Sequence, residues 1–79
     1  MRLLFFAQLK TATGCAATDL PVTGELDADA LWQQLLDRHP ALAPHQRTTR
    51  LARNGTYAGP GTRFSNTDEV ALIPPVSGG

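Results

Sequence analysis

Long apolar runs, cysteine pairs and any surplus of charge are all missing from this 79-residue chain. No stretch approaches the ~20 apolar residues of a membrane-spanning helix. The apolar start, residues 1–7, is broken at Gln8 and Lys10 and is too short for the apolar region of a signal peptide, so a cytoplasmic location is expected. The one cysteine, Cys15, excludes an internal disulfide. With no histidine beside it, it gives neither a nucleophile nor a metal signature, and a small packed or loop residue is its expected role. Seven basic and seven acidic side chains cancel, which argues against nucleic acid or a membrane surface as the main partner. His39 and His45 lack metal-ligand spacing, so no metal is expected. No Gly-rich loop links a strand to a helix, so there is no phosphate cradle. The acids Asp27, Asp29, Asp37, Asp68 and Glu69 are scattered, as capping and solvation require, and form no catalytic constellation.

What is present reads as one small domain, marginally stable unless something supports it. Residues 2–9 are an apolar run of strand length. Thr13-Gly14 marks a turn. Residues 17–22 are short and polar with Pro21 inside, as at a sheet edge. Asp27 is a candidate N-cap for a helix that Pro40 stops. Leu31, Leu35 and His39 share one helix face, which Trp32 and Leu36 widen; His39 suits the C-terminal end of the dipole. Residues 44–49 read as polar connection and 49–53 as a strand. Asn54-Gly55 is a two-residue hairpin turn, and Thr56 and Tyr57 begin the return strand, which Gly59-Pro60-Gly61 breaks. Asn66-Thr67-Asp68 turns into a last strand, residues 69–73. One helix cannot cover both faces of a mixed sheet, so it is expected on one face of an α+β roll. The most apolar strands, the first and last, are expected to be central and parallel. Alternation puts Leu3 and Phe5 on the helix side, Leu4 and Phe6 on the other. Arg47, Arg50 and Arg53 form a small basic cluster, either a solvated face or a contact for an anionic partner.

The chain closes on Pro74-Pro75-Val76-Ser77-Gly78-Gly79. Two prolines cannot continue a ladder, so a tail over 74–79 is expected to leave the sheet. Residues 76–79 span roughly 13 Å when extended at about 3.3 Å per residue. Glycines without Cβ let another backbone close around them. A frayed end or a cloning remnant would also read as Gly-Gly. The Gly79 carboxylate is ionised at neutral pH and a poor electrophile. Adenylation would give it a leaving group that a persulfide sulfur can displace, leaving a thiocarboxylate.

The ending from Asp68 to Gly79, together with Leu4-Phe5-Phe6-Ala7-Gln8 and Asn54-Gly55, resembles the small, sulfur-carrier subunits of molybdopterin synthases, a ubiquitin-like family, over nearly the whole chain. The resemblance implies a ubiquitin-like β-grasp, with a mixed sheet and one main helix packed on one face. It implies that the chain is not an enzyme on its own. A partner adenylyltransferase related to ubiquitin-activating enzymes consumes ATP to adenylate Gly79, a persulfide donor supplies sulfur, and the thiocarboxylate enters the synthase large subunit. There sulfur passes to precursor Z (cyclic pyranopterin monophosphate) in molybdenum cofactor biosynthesis. No cofactor is bound by the carrier itself. A two-fold large-subunit dimer with a carrier at each end would form a heterotetramer. Carried over by position, Phe6, Tyr57 and Ile73 face the partner, and Pro74, Pro75, Val76, Ser77 and Gly78 form the gripped tail. Relatives are often aromatic at Ile73 and carry a basic-acidic pair where this chain has Lys10-Thr11. Carriers of this fold that serve thiazole, tRNA thiolation or cysteine synthesis, and ubiquitin-like modules without tail chemistry, are the alternatives.

Overall fold

The computed structural model describes residues 1–75. Its strands are β1 (Arg2–Phe5), β2 (Ala17–Asp19), β3 (Glu25–Leu26), β4 (Arg50–Arg53), β5 (Thr56–Tyr57), β6 (Phe64–Ser65) and β7 (Glu69–Ile73). Two helices, α1 (Gln8–Thr13) and α2 (Ala28–Arg38), and a 3₁₀ segment, Pro40–Thr48, complete the chain. Five strands form one sheet in the order β2-β1-β7-β4-β5, and β3 with β6 makes a separate antiparallel pair. This is the expected ubiquitin-like α+β arrangement. The terminal strands are central and parallel, with Leu3 beside Val70 and Phe5 beside Leu72, and β2 is at the edge.

α2 forms where its caps require. The Asp27 carboxylate accepts from the Ala30 N–H at 2.8 Å, Asp29 sits in the positive first turn, and Arg38 sits in the negative last turn. His39 ends the helix with a non-helical backbone, and Pro40 begins the 3₁₀ segment. The imidazole of His39 packs edge-on against Phe5, with ring centroids 5.5 Å apart. The buried face of α2, Leu31, Trp32 and Leu35, meets Leu3 and Phe5 of β1, Val70 and Leu72 of β7, and Leu51 of β4. Among the described residues the core holds no buried polar or charged side chain.

Three expectations are corrected. The second strand ends at Asp19 and not at residue 22. The first strand ends at Phe5, not Leu9, because the chain turns at Ala7 (φ 49°) into α1, which Gly14 closes in the left-handed conformation. The run is apolar because Leu9 is fully buried from α1, not from a strand. The polar connection over 44–49 belongs, as far as Thr48, to the 3₁₀ segment, which buries Leu42. β3 and β6, two residues each, close over the core through the fully buried Phe64.

Asn54 does more than turn the β4–β5 hairpin, where it and Gly55 both have positive φ, as expected. Its side-chain amide donates to Asp68 at 2.9 Å, and its side-chain oxygen accepts from the Glu69 N–H at 2.9 Å. Asp68 also accepts from the Ser65 N–H at 2.8 Å, and its own carbonyl accepts from the Arg2 N–H at 3.0 Å. The clasp ties the hairpin to the start of β7. The Ser65 N–H and then the Asn54 amide, both donating to the carboxylate, hold Asp68 below the ordinary aspartate value. With the folded value below the unfolded one, the stabilisation is complete above about pH 4 and is lost as pH falls through the folded value. Asp68→Ala is expected to lower stability by about 1 kcal/mol at neutral pH, the partly exposed site discounting the larger worth of a buried charged hydrogen bond. The gap from wild type is expected to narrow between urea unfolding at about pH 7 and at about pH 3; a gap that widens on acidification contradicts the clasp.

Candidate functional site

One face of the five-stranded sheet carries α2; among the described residues no helix covers the other. Register decides which side chains share the uncovered face. Leu4 lies beside Ala17 and Ala71, Ala71 beside Ala52, and Ala52 beside Tyr57. The row crosses all five strands and is apolar throughout. Ala71 and Ala52 keep the middle flat, Ala52 being only 5% exposed; Ala17 lies at the β2 edge, and Tyr57 stands out at the other end, 60% exposed. One row nearer the C-terminus, Ile73 lies beside Arg50. One row the other way, Arg2 lies beside Asp19 and Glu69, and its guanidinium is 3.8 Å from the Glu69 carboxylate.

Two concavities open on this face. One, of about 530 Å³, sits where the chain leaves β7 and is lined by Arg47, Arg50, Tyr57, Ile73, Pro74 and Pro75. The other, of about 510 Å³, is lined by Leu4, Phe6, Lys10 and Ala17 among others. The structure therefore groups Tyr57 and Ile73 at the root of the tail and places Phe6 in the neighbouring hollow, joined to them by the Leu4–Ala71–Ala52 row. Phe6 is 48% exposed, whereas Ile73 is half-buried. The backbone turn at Ala7 follows Phe6, whose carbonyl accepts from the Leu9 N–H at 3.0 Å.

Pro74 is half-buried and Pro75 exposed, and neither belongs to a strand. Val76, Ser77, Gly78 and Gly79 lie outside the described residues. The basic cluster divides: Arg47 and Arg50 meet at the tail root, while Arg53 points elsewhere and donates to the Arg63 carbonyl at 2.7 Å. Alternation explains the division, since Arg53 pairs with Val70, which is on the core side. Cys15 is half-buried, with its thiol 3.7 Å from the Thr13 hydroxyl. Among the described residues no group of three or more His, Cys, Asp or Glu is placed to hold a metal ion, and no helix is long and apolar enough to cross a membrane. The alanine row was missed from the sequence. Its signal is the small residue at alternate positions of three strands, visible only once their register is known.

The ThiS family model matches residues 3–79. The molybdopterin synthase sulfur carrier subunit of Caenorhabditis briggsae is 33% identical over 81 residues, with 100% of this chain and 96% of that protein covered. The Homo sapiens protein of the same name is 33% identical over 82 residues, covering 100% of this chain and 93% of its own. Among solved structures, SAMP1 (small archaeal modifier protein 1) from Haloferax volcanii superposes with a TM-score of 0.82 at 31% identity, covering 100% of this chain and 98% of that one. A complex of subunits 1 and 2 of the molybdopterin-converting factor from Helicobacter pylori contains a chain with the same fold, at a TM-score of 0.70 and 22% identity, with 99% and 96% covered.

The contrast between adjacent phenylalanines is open to measurement. Phe5→Ala is expected to cost about 3–5 kcal/mol of unfolding free energy, because Phe5 is packed in the core. Phe6→Ala and Tyr57→Ala are each expected to cost less than about 1 kcal/mol, as exposed side chains do. Denaturant unfolding that ranks Phe6→Ala with Phe5→Ala would contradict the placement of Phe6.

Proposed function

The chain belongs to the ThiS family, and from that premise we propose that it is the sulfur carrier subunit of a molybdopterin synthase. The observation that carries the reading is full-length similarity to subunits of that name, in a chain that runs from the central strand β7 through Pro74-Pro75 and Val76-Ser77 to Gly78-Gly79. Gly79 is the reacting residue. Its carboxylate attacks the α-phosphate of ATP in an adenylyltransferase related to ubiquitin-activating enzymes, releasing pyrophosphate. A persulfide sulfur then displaces AMP, and a second thiol attacks the donor-side sulfur of the resulting acyl disulfide, freeing the thiocarboxylate and leaving a disulfide between that thiol and the donor. In the large subunit the sulfur passes to precursor Z. The carrier binds no cofactor and supplies no acid or base. It supplies reach and positioning, which are what a tethered reactant contributes to the rate.

The chain acts as a single domain over 1–79, with residues 74–79 as the tail that the partners grip. Gly78 leaves room for close backbone approach. Phe6, Tyr57 and Ile73 dock against the large subunit, since exposed apolar surface of this kind on a small domain marks an interface. Two carriers on a two-fold large-subunit dimer make a heterotetramer, and the assembly works in the cytoplasm.

A chain lacking Gly79 is expected to unfold at the wild-type midpoint and to fail to restore molybdenum-enzyme activity in cells without this gene; restored activity would sink the proposal. Phe6→Ala is expected to weaken association with the large subunit by about 10-fold or more, as loss of an interface anchor does. Calorimetry giving equal affinities would remove Phe6 from the interface.

A second reading has its own support, the 31% identity to a protein described as a modifier. Under it the activated Gly79 acyl group passes to an amine of another protein, with loss of AMP, and amide-linked adducts rather than a thiocarboxylate would accumulate.

A further inference from the structure

We infer that Arg47 and Arg50 form a docking site for carboxylate side chains of the synthase large subunit, so that the partner is recognised at the root of the tail by charge as well as by apolar fit. The inference rests on the reading of this chain as the small subunit of a synthase.

Arg50 lies beside Ile73 in the β4–β7 register, on the uncovered face. Its guanidinium stands 5.8 Å from the centroid of the Tyr57 ring, within cation–π range. A surface that covers Ile73 and Tyr57 must therefore cover Arg50 too. A guanidinium cannot shed its charge, and burying it unpaired is strongly unfavourable. The covering surface has to bring an acceptor. Arg47 reaches the same cavity from the 3₁₀ segment, so two cations converge there.

Among the described residues neither cation is neutralised. Among the described residues the ion pairs are Arg2 with Glu69 and Arg63 with Glu25, and no carboxylate comes within 4.0 Å of Arg47 or Arg50. The acids of the uncovered face, Asp19 and Glu69, sit in register with Arg2 at the far end of the strands. A chain of formal net charge 0 thus presents a positive end where its tail departs.

The occupant is a protein carboxylate and not the anionic group of the small-molecule substrate. The reacting carboxyl of Gly79 can lie up to roughly 13 Å beyond Pro75 at about 3.3 Å per residue. With the tail extended, a substrate held at that carboxyl is out of reach of the tail root, whereas the rim of the pocket that admits the tail is not. An Asp or Glu there can take the paired N–H groups of a guanidinium in bidentate fashion.

The test is calorimetric titration of the large subunit from the same genome with the full chain, at about 50 mM and about 500 mM salt. The double variant Arg47→Met, Arg50→Met keeps aliphatic contact with Tyr57 and removes both charges. It is expected to bind about 10- to 100-fold more weakly at low salt and to lose most of the wild type's salt dependence, at an unchanged unfolding midpoint. Arg50→Lys should retain the salt dependence, and Phe6→Ala should bind more weakly while keeping it in full. Wild-type affinity and salt dependence in the double variant would overturn the inference and leave the functional reading standing, as would an effect of the arginines confined to adenylation by the activating partner. A wild-type chain that does not bind the large subunit at all would overturn both.

Discussion

β7 is held along both edges, in parallel by β1 and antiparallel by β4. Val70 and Leu72 bury completely against the helix side of the sheet. The segment that carries the C-terminus is therefore the middle strand of a five-stranded sheet, where local opening is least favourable. Parallel pairing requires a crossover, which helix α2 and the 3₁₀ segment supply. Pro74 and Pro75 end the ladder at the point of departure. On the proposed reading, the tail that enters another protein thus starts from a rigid base rather than from a loop.

The two faces of the sheet divide the work. One is filled by leucines, phenylalanines and Trp32 and carries the stability of a small domain. The other is built from alanines flanked by Phe6, Tyr57 and Ile73, a flat strip with raised ends suited to a second protein. Asn54 and Asp68 bind the hairpin bearing Tyr57 to the start of the strand bearing Ile73, so the clasp that stabilises the fold also fixes the relative position of two residues proposed to dock.

Much of this was legible before any coordinates. Asp27 and Pro40 bracket α2 as their chemistry requires, Asn54-Gly55 turns the hairpin, and the apolar density of the terminal strands places them centrally. Illegible parts share one cause: tertiary context overrode weak local signals. α1 is six residues long and buries a single leucine, so Leu9 reads as the continuation of a strand. In the 3₁₀ segment Pro40 reads as a helix stop and residues from Pro44 as polar connection, although Leu42 between the two prolines packs fully into the core. β3 and β6 hold two residues each and exist through pairing with each other. At the site, alternation correctly opposed Phe5 to Phe6, but it took the β4–β7 register to separate Arg53 from Arg50 and to set Arg50 beside Ile73.

The central claim is chemical, that the end of this chain carries sulfur. Intact-mass and C-terminal peptide mass spectrometry of the protein taken from its own cells, with alkylation of any thiocarboxylate before digestion, addresses it without a partner in hand. A population with one oxygen of Gly79 replaced by sulfur, lost when the activating enzyme is deleted, is the predicted result. A C-terminus that is carboxylate alone in cells actively making molybdenum enzymes, or one found only in amide linkage to other proteins, would contradict it.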